Sequence, residues 1–212
     1  MSFVLIHHGW TNTRQPDHWQ RNLAHALRLQ GHQVSYAQYP QTDQPVFADW
    51  SALLVAELEH LVELRNLGGN SADQPGGELI LIGHSLGCIN IMKSALEGLI
   101  RAELRANRTL FVAPASQEKL GAVPTFEFDI ENTAVRDAMR AALTEAAGEV
   151  TLVASDDDVW LPKGIRAEYA EPLGLEPVII EGGKHLSLQD GWGKWQGVIN
   201  WVGDSSADLT VR

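Results

Sequence analysis

Gly83-His84-Ser85-Leu86-Gly87 sets one serine between two glycines, where the apolar run Leu79 to Ile82 stops. A serine hydroxyl is a weak nucleophile at neutral pH unless a neighbouring imidazole takes its proton as it attacks. The pattern is that of a nucleophile elbow. A buried strand delivers the chain to the rim of a sheet, a tight turn leaves Ser85 at its apex, and a helix begins near Leu86. A Cβ at Gly83 or Gly87 would collide with the adjoining strand or helix, which accounts for both glycines. Ile89, Met92, Ala95, Leu96 and Leu99 then keep a helical spacing.

Of the eight histidines, His185 is the best-placed base, because it follows the last apolar strand in a glycine-containing loop. His18, His25, His32 and His60 fall in predicted helices or at their ends. His84 adjoins Ser85, and successive side chains there point apart. His7 and His8 end the first apolar run, so His8 and His84 are candidates for groups that support the site. The base needs a carboxylate to fix its tautomer and stabilise its cation, and Asp156, Asp157 and Asp158 compete for that place. These three lack the alternating oxygen ligands of a divalent-ion loop, so no metal is expected. The order serine, aspartate, histidine is that of α/β-hydrolases.

To bring these groups together, the chain must present several strand ends at one edge. Phe3 to Ile6 reads as a buried first strand, followed by a helix from Trp19 to Leu29 with Asp17 as candidate cap and Gly31 as its end. Val34 to Tyr39 reads as a second strand, Trp50 to Leu64 as a long amphipathic helix, and Asn66 to Gly77 as an exposed loop. After the elbow come a strand at Thr109 to Ala113 and an aperiodic stretch from Pro114 to Thr133, whose Phe126 and Phe128 are candidates for an apolar lid or pocket wall. A helix follows from Ala134 to Ala147, then a strand from Val150 to Ala154 and a helix opening at Leu161-Pro162. The last strand is Pro177 to Ile180, the closing helix Trp192 to Val202, and Gly203 to Arg212 reads as a loose tail.

Strands and helices alternate, which predicts an α/β fold of one domain over residues 1–212. About six mainly parallel strands in the order 2-1-3-4-5-6, with helices on both faces, are expected. Ligands collect outside the carboxyl ends of such strands, and His8, Ser85, Pro114, Asp158 and His185 all lie just past such ends.

The sequence resembles a known family. Phe3 to Trp10 with Trp19, Gly83-His84-Ser85-Leu86-Gly87-Cys88, Ala154-Ser155-x-Asp157-Asp158-x-x-Leu161-Pro162, and a Gly-His segment before Gly191-Trp192 are similar to the small serine hydrolases related to retinoblastoma-binding protein nine. The resemblance runs from about residue 3 to residue 202 and implies a reduced α/β-hydrolase fold with little or no cap domain. It implies Ser85 as nucleophile, His185 as base and Asp158 as orienting acid, with Asp157 as a neighbouring supporting group. The family usually has histidine directly after glycine, whereas Lys184 stands between Gly183 and His185 here. By fold analogy the developing oxyanion meets the backbone N–H groups of Leu86, at the helix N-terminus, and of Trp10, in the loop after the first strand.

Composition narrows the function further. Sixteen basic against 27 acidic residues give a net charge of -11, which opposes binding to nucleic acid. Cys88 is the single cysteine, so no intrachain disulfide can form, and its place beside the elbow suits a small buried residue. No apolar run reaches membrane-spanning length, so a cytoplasmic protein is expected. The expected function is hydrolysis of a small ester, thioester or amide through an acyl-serine intermediate, with no cofactor. A rival reading is a hydrolase-fold protein-interaction module with weak or no turnover, whose partner surface would be the aromatics Phe126 and Phe128 and the Trp-rich C-terminal segment.

Overall fold

The computed structural model describes residues 1–68 and 76–212. Six strands, β1 (Phe3–His7), β2 (Gln33–Ser35), β3 (Leu79–His84), β4 (Arg108–Val112), β5 (Glu149–Ser155) and β6 (Pro177–Ile180), form one sheet. Its order is β2-β1-β3-β4-β5-β6, as the sequence predicts, and every pairing is parallel. The helices are α1 (Trp19–Leu29), α2 (Phe47–Gly68), α3 (Leu86–Leu96), α4 (Thr133–Ala146), the short α5 (Glu171–Leu173) and α6 (Gln196–Gly203).

Two-residue periodicity, with a core on each face, explains why the central strands are mostly apolar. Phe3, Leu5, Leu79, Leu81, Phe111 and Leu152 face one core, shared with α2, α3 and α4. Val4, Ile6, Ile80, Ile82, Leu110 and Val112 face the other, shared with α1 and α6. With both faces covered, β1, β3 and β4 are buried along their whole length. The sheet can therefore hold loops at its carboxyl edge in fixed positions. No helical cap stands over that edge among the described residues, in line with the small hydrolase fold expected.

Several elements differ from the sequence reading. His18 caps α1 in place of Asp17, its Nδ1 accepting the Gln20 N–H. Strand β2 stops at Ser35, and beyond it the backbone bonds side chains instead of the ladder: Tyr36 O accepts from Arg14 Nη1 and Tyr39 N–H donates to His8 Nε2. Helix α2 runs on to Gly68, into the stretch read as a loop, while residues 69–75 lie outside the described residues. After Leu161-Pro162 the chain forms a wide turn of π-helix at Arg166–Ala170 that runs into α5. The closing helix begins at Gln196, since Trp192 and Trp195 sit in the preceding loop with their indole N–H groups on Gly183 O and Leu209 O. The expected loose tail is docked: Leu209 is buried, and Gly197 donates to Val211 O at 2.8 Å. Phe126 is no lid residue, for it is fully buried against Trp50 and Phe47. No described helix is long and apolar enough to cross a membrane.

Arg108 fastens α6 to the sheet. Its buried guanidinium donates to the carbonyls of Trp201 and Val202, in the last turn of that helix, and pairs with Glu78 Oε2 at 3.0 Å. A cation at a helix C-terminus also meets the negative end of the helix dipole. Arg108→Met leaves two buried carbonyls unpaired and should destabilise the chain by about 3 kcal/mol in chemical denaturation. A loss under about 1 kcal/mol would mean that water replaces the guanidinium without penalty.

Candidate active site

The turn after β3 has the elbow geometry. Ser85 adopts φ 54° and ψ -122°, a conformation that costs a non-glycine residue about 1–3 kcal/mol and persists only where its surroundings fix it. They do so by close approach. A Cβ on Gly87 would lie 2.7 Å from the carbonyl oxygens of His7 and His8, and one on Gly83 would lie 3.1 Å from the Cys88 backbone. The start of α3 is thus wedged against the end of β1. Gly9 is equally confined, because a Cβ there would lie 2.9 Å from Ser85 Cβ. Cys88 is buried and hydrogen-bonded to Val112 O, and burial pushes its thiol well above the ordinary range.

The structure brings Ser85, His185 and Asp158 into one line. Ser85 Oγ lies 2.9 Å from His185 Nε2, and His185 Nδ1 lies 2.8 Å from Asp158 Oδ2. Asp158 is buried and also accepts the Trp160 N–H at 2.9 Å. A carboxylate accepts, so Nδ1 carries the ring hydrogen and Nε2 is free to accept from Ser85. Asp157 points elsewhere, taking the Lys184 N–H at 2.7 Å and the Ser155 hydroxyl at 2.6 Å on its Oδ1.

The loop that carries His185 is held at six points. Gly182 N–H donates to Asp156 Oδ1, Gly183 N–H to Ser155 Oγ and Lys184 N–H to Asp157 Oδ1, at 2.7–2.8 Å. In return Gly183 O accepts from Trp192 Nε1, His185 O from His84 Nε2 and Leu186 O from Trp19 Nε1, at 2.9–3.0 Å. The extra residue Lys184 is absorbed by a left-handed backbone, φ 54°, with Leu186 at φ 51°. Asp156, a candidate for the orienting acid in the sequence, holds the loop instead, and the sequence does not mark Ser155, Trp19 and Trp192 as site residues. The available signal was that a buried indole N–H requires an acceptor.

The buried histidines of this edge, His7, His8, His18 and His84, are fixed, and burial favours their neutral forms. His8 donates from Nδ1 to Gly9 O at 2.8 Å and accepts the Tyr39 N–H on Nε2 at 2.9 Å, so it steadies the Gly9 loop and has no nitrogen left for Ser85. His7 stacks on Tyr39 with ring centroids 3.7 Å apart and meets Asn90. Burial holds His8 and His18 down to about 4. Burial first, then the neighbouring His185 and His18, keeps His84 well below the ordinary range.

These groups open onto a cavity of about 610 Å³ that Gly9, Trp10, His84, Ser85, Leu86 and His185 help to line. Trp10 and Leu86, expected to flank an oxyanion, thus share it with Ser85. Among the described residues no cluster of potential metal ligands is present.

The sequence profile of the serine hydrolase family matches residues 4–203. The chain belongs to the serine hydrolase family. Among solved structures this serine hydrolase is similar to the ydeN gene product from B. subtilis, with a TM-score of 0.70 at 21% identity over 96% of this chain and 97% of that one. It is similar to a YdeN-like hydrolase from Pectobacterium atrosepticum, with a TM-score of 0.61 at 16% identity over 96% and 89% of the two chains. A monoacylglycerol lipase from Paleococcus ferrophilus gives a TM-score of 0.58 at 16% identity over 96% and 95%. These likenesses establish the shared fold. No curated protein sequence matches this serine hydrolase significantly.

Neutral buried histidines make the folded serine hydrolase acid-sensitive. When unfolded, each protonates near pH 6.5, whereas folded His8 and His18 resist protonation to about 4. Below pH 6.5 the unfolded chain binds more protons, so stability is full above that value and falls as the pH drops towards 4. Each of the two costs about 2 kcal/mol by pH 5, at about 1.4 kcal/mol per pH unit. Urea midpoints at constant ionic strength should fall steadily from pH 7 to pH 5. His18→Asn, which keeps a side-chain oxygen for the cap, should flatten that slope. An unchanged slope would refute the assignment of His18.

Proposed function

We propose that this serine hydrolase cleaves a small ester, thioester or amide through an acyl enzyme on Ser85. The observation that carries this reading is the line from Asp158 through His185 to Ser85, with contacts of 2.8 and 2.9 Å. Ser85 Oγ attacks the carbonyl carbon while its proton passes to His185 Nε2. The carbonyl oxygen becomes an oxyanion, met by the backbone N–H groups of Leu86 and Trp10. Collapse of the tetrahedral intermediate breaks the bond to the leaving group, which takes the proton from His185. Water then repeats the sequence, giving its proton to His185 and releasing the acid and Ser85. Asp158 holds the Nδ1–H throughout and stabilises the imidazolium formed in each half. The scheme uses no cofactor.

The interaction-module rival finds little support in the packing. Phe126, Trp192, Trp195 and Trp201 are all buried, so most of the proposed partner surface lies inside the two cores. Cytoplasmic residence belongs to this proposal, and the lone, buried, free Cys88 is compatible with a reducing compartment.

A fluorophosphonate probe should label the wild type at Ser85, by peptide mapping, and should fail to label Ser85→Ala and His185→Ala. Asp158→Asn should keep the fold while lowering kcat on a simple ester by roughly 10³–10⁴-fold, since the imidazole loses its tautomer control. A folded wild type that does not label, or a His185→Ala variant that labels at the wild-type rate, would overturn the assignment.

A further inference from the structure

The cavity at Ser85 has two unlike sides. The segment after β4 and the loop after β5 supply Ala115, Leu120, Val159 and Trp160, an apolar wall that meets Trp10, whose ring centroid is 6.2 Å from that of Trp160. The loop before α1 and the loop after β6 supply Asn12, Gln15, His18, Ser187, Gln189 and Asp190, a polar wall. The main chains that carry this polar wall are joined, since Trp19 N–H donates to Trp192 O and Trp19 Nε1–H to Leu186 O.

The polar side holds unpaired acceptors. Gln15 Oε1 and His84 Nδ1 are buried and have no hydrogen-bond partner in the protein. The His84 atom is a lone pair and not an N–H, because Nε2 must carry the hydrogen it donates to His185 O. His18 is the complement: Nδ1 accepts the Gln20 N–H, so in the neutral ring Nε2 carries the hydrogen. A buried acceptor without a donor is destabilising, and a ligand donor that reaches it restores the missing hydrogen bond. The formal charges in the lining are two lysines, Lys119 and Lys184, against two aspartates, Asp157 and Asp190, so the site is neutral within an acidic molecule. An anionic group would bring only lone pairs to Gln15 and His84, and would approach against the net charge of -11.

His185 stands between the two walls: the leaving group must take its proton from His185 Nε2, and the His84 ring centroid lies 5.1 Å from that of His185, nearer than that of Trp160 on the apolar wall at 5.8 Å. The alcohol is the half of an ester that can carry free hydroxyls, so the polar wall is assigned to the leaving group. We infer that the natural substrate is an ester whose leaving group is a neutral alcohol bearing further hydroxyls, with O–H donors for Gln15 Oε1 and His84 Nδ1 and an oxygen for His18 Nε2–H, while the acyl group lies against Trp10, Leu120 and Trp160. The inference rests on the acyl-serine reading of the same site.

Two probes that differ only in hydroxyls test it: 2,3-dihydroxypropyl butyrate and propyl butyrate. Wild-type kcat/KM should favour the dihydroxy ester by about tenfold or more, and Gln15→Leu should bring that ratio towards one. Affinity is read separately on Ser85→Ala by NMR titration, which needs no turnover and no change at the polar wall. There the dihydroxy ester should bind several-fold tighter and shift the His84 ring nitrogen signals. A wild type that labels with fluorophosphonate but shows equal kcat/KM for the two esters would overturn the leaving-group inference alone. Equal affinities on Ser85→Ala would overturn it whatever the turnover, and so would an undiminished preference in Gln15→Leu. Absence of labelling and of all hydrolysis would overturn the acyl-serine reading instead, with the titration still deciding the polar wall.

Discussion

His185 lies within hydrogen-bond reach of Ser85 because the main chain on either side of it is tied down by side chains from distant parts of the sequence. The loop after β6 has no regular structure of its own, and a free loop would spread the imidazole over many positions. Ser155, Asp156 and Asp157, at the end of β5, take three successive N–H groups, while Trp19, His84 and Trp192 supply hydrogens to three carbonyls. Asp156, Asp157, Gly182 and Lys184 lie towards solvent, whereas Ser155, Gly183, Leu186, Trp19, His84 and Trp192 are buried, so the carbonyl side of the clamp competes little with water. The three consecutive carboxylates are therefore a division of labour: two anchor the β6 loop and the third orients the ring.

The same edge collects the backbone strain of the molecule. Left-handed residues other than glycine occur at Thr11, Ser85, Ala113, Lys184 and Leu186, after β1, β3, β4 and β6. Such residues cost about 1–3 kcal/mol each and persist only where the structure over-determines them. The buried parallel sheet does that, since β1, β3 and β4 are locked by cores on both faces and cannot shift register to relax a turn. Lys184 gives the clearest case. Its left-handed turn lets one additional residue stand between Gly183 and His185 while the clamp keeps the imidazole aimed at Ser85.

The sheet was legible in the sequence because continuous Leu, Ile and Val runs bounded by turn residues have few other uses; parallel pairing follows from the alternation with helices, whereas the strand order is that of the hydrolase fold the motifs imply. The elbow was legible because two glycines and a serine answer one steric problem. Ends of elements were less so. Trp192 fits a helical spacing with Trp195, Ile199 and Val202, yet its indole bonds Gly183 O from the preceding loop, and the helix starts at Gln196. Leu209 looks like part of a tail until Trp195 and Gly197 are seen to bond its neighbourhood. Phe126 and Phe128 are aperiodic in sequence because two 3-10 turns place them, and no repeat reveals that Phe126 fills a gap beside Trp50. Contacts of this kind depend on which loops meet, which local pattern does not encode.

Five imidazoles crowd the carboxyl edge, yet only His185 has a carboxylate partner among the described residues. Burial keeps His7, His8, His18 and His84 neutral. In the proposed chemistry a positive charge appears on His185 as Ser85 attacks, and a second positive charge on His84, with ring centroids 5.1 Å apart, would oppose it. At an effective dielectric constant near 20 that repulsion is about 3 kcal/mol, enough to slow attack roughly a hundredfold. The fold avoids it by closing His84 off from water and using its Nε2–H to hold the His185 carbonyl. Placing four neutral histidines beside the reacting one thus serves two ends: they donate and accept the hydrogen bonds that shape the edge, and they leave the new charge to Asp158 alone.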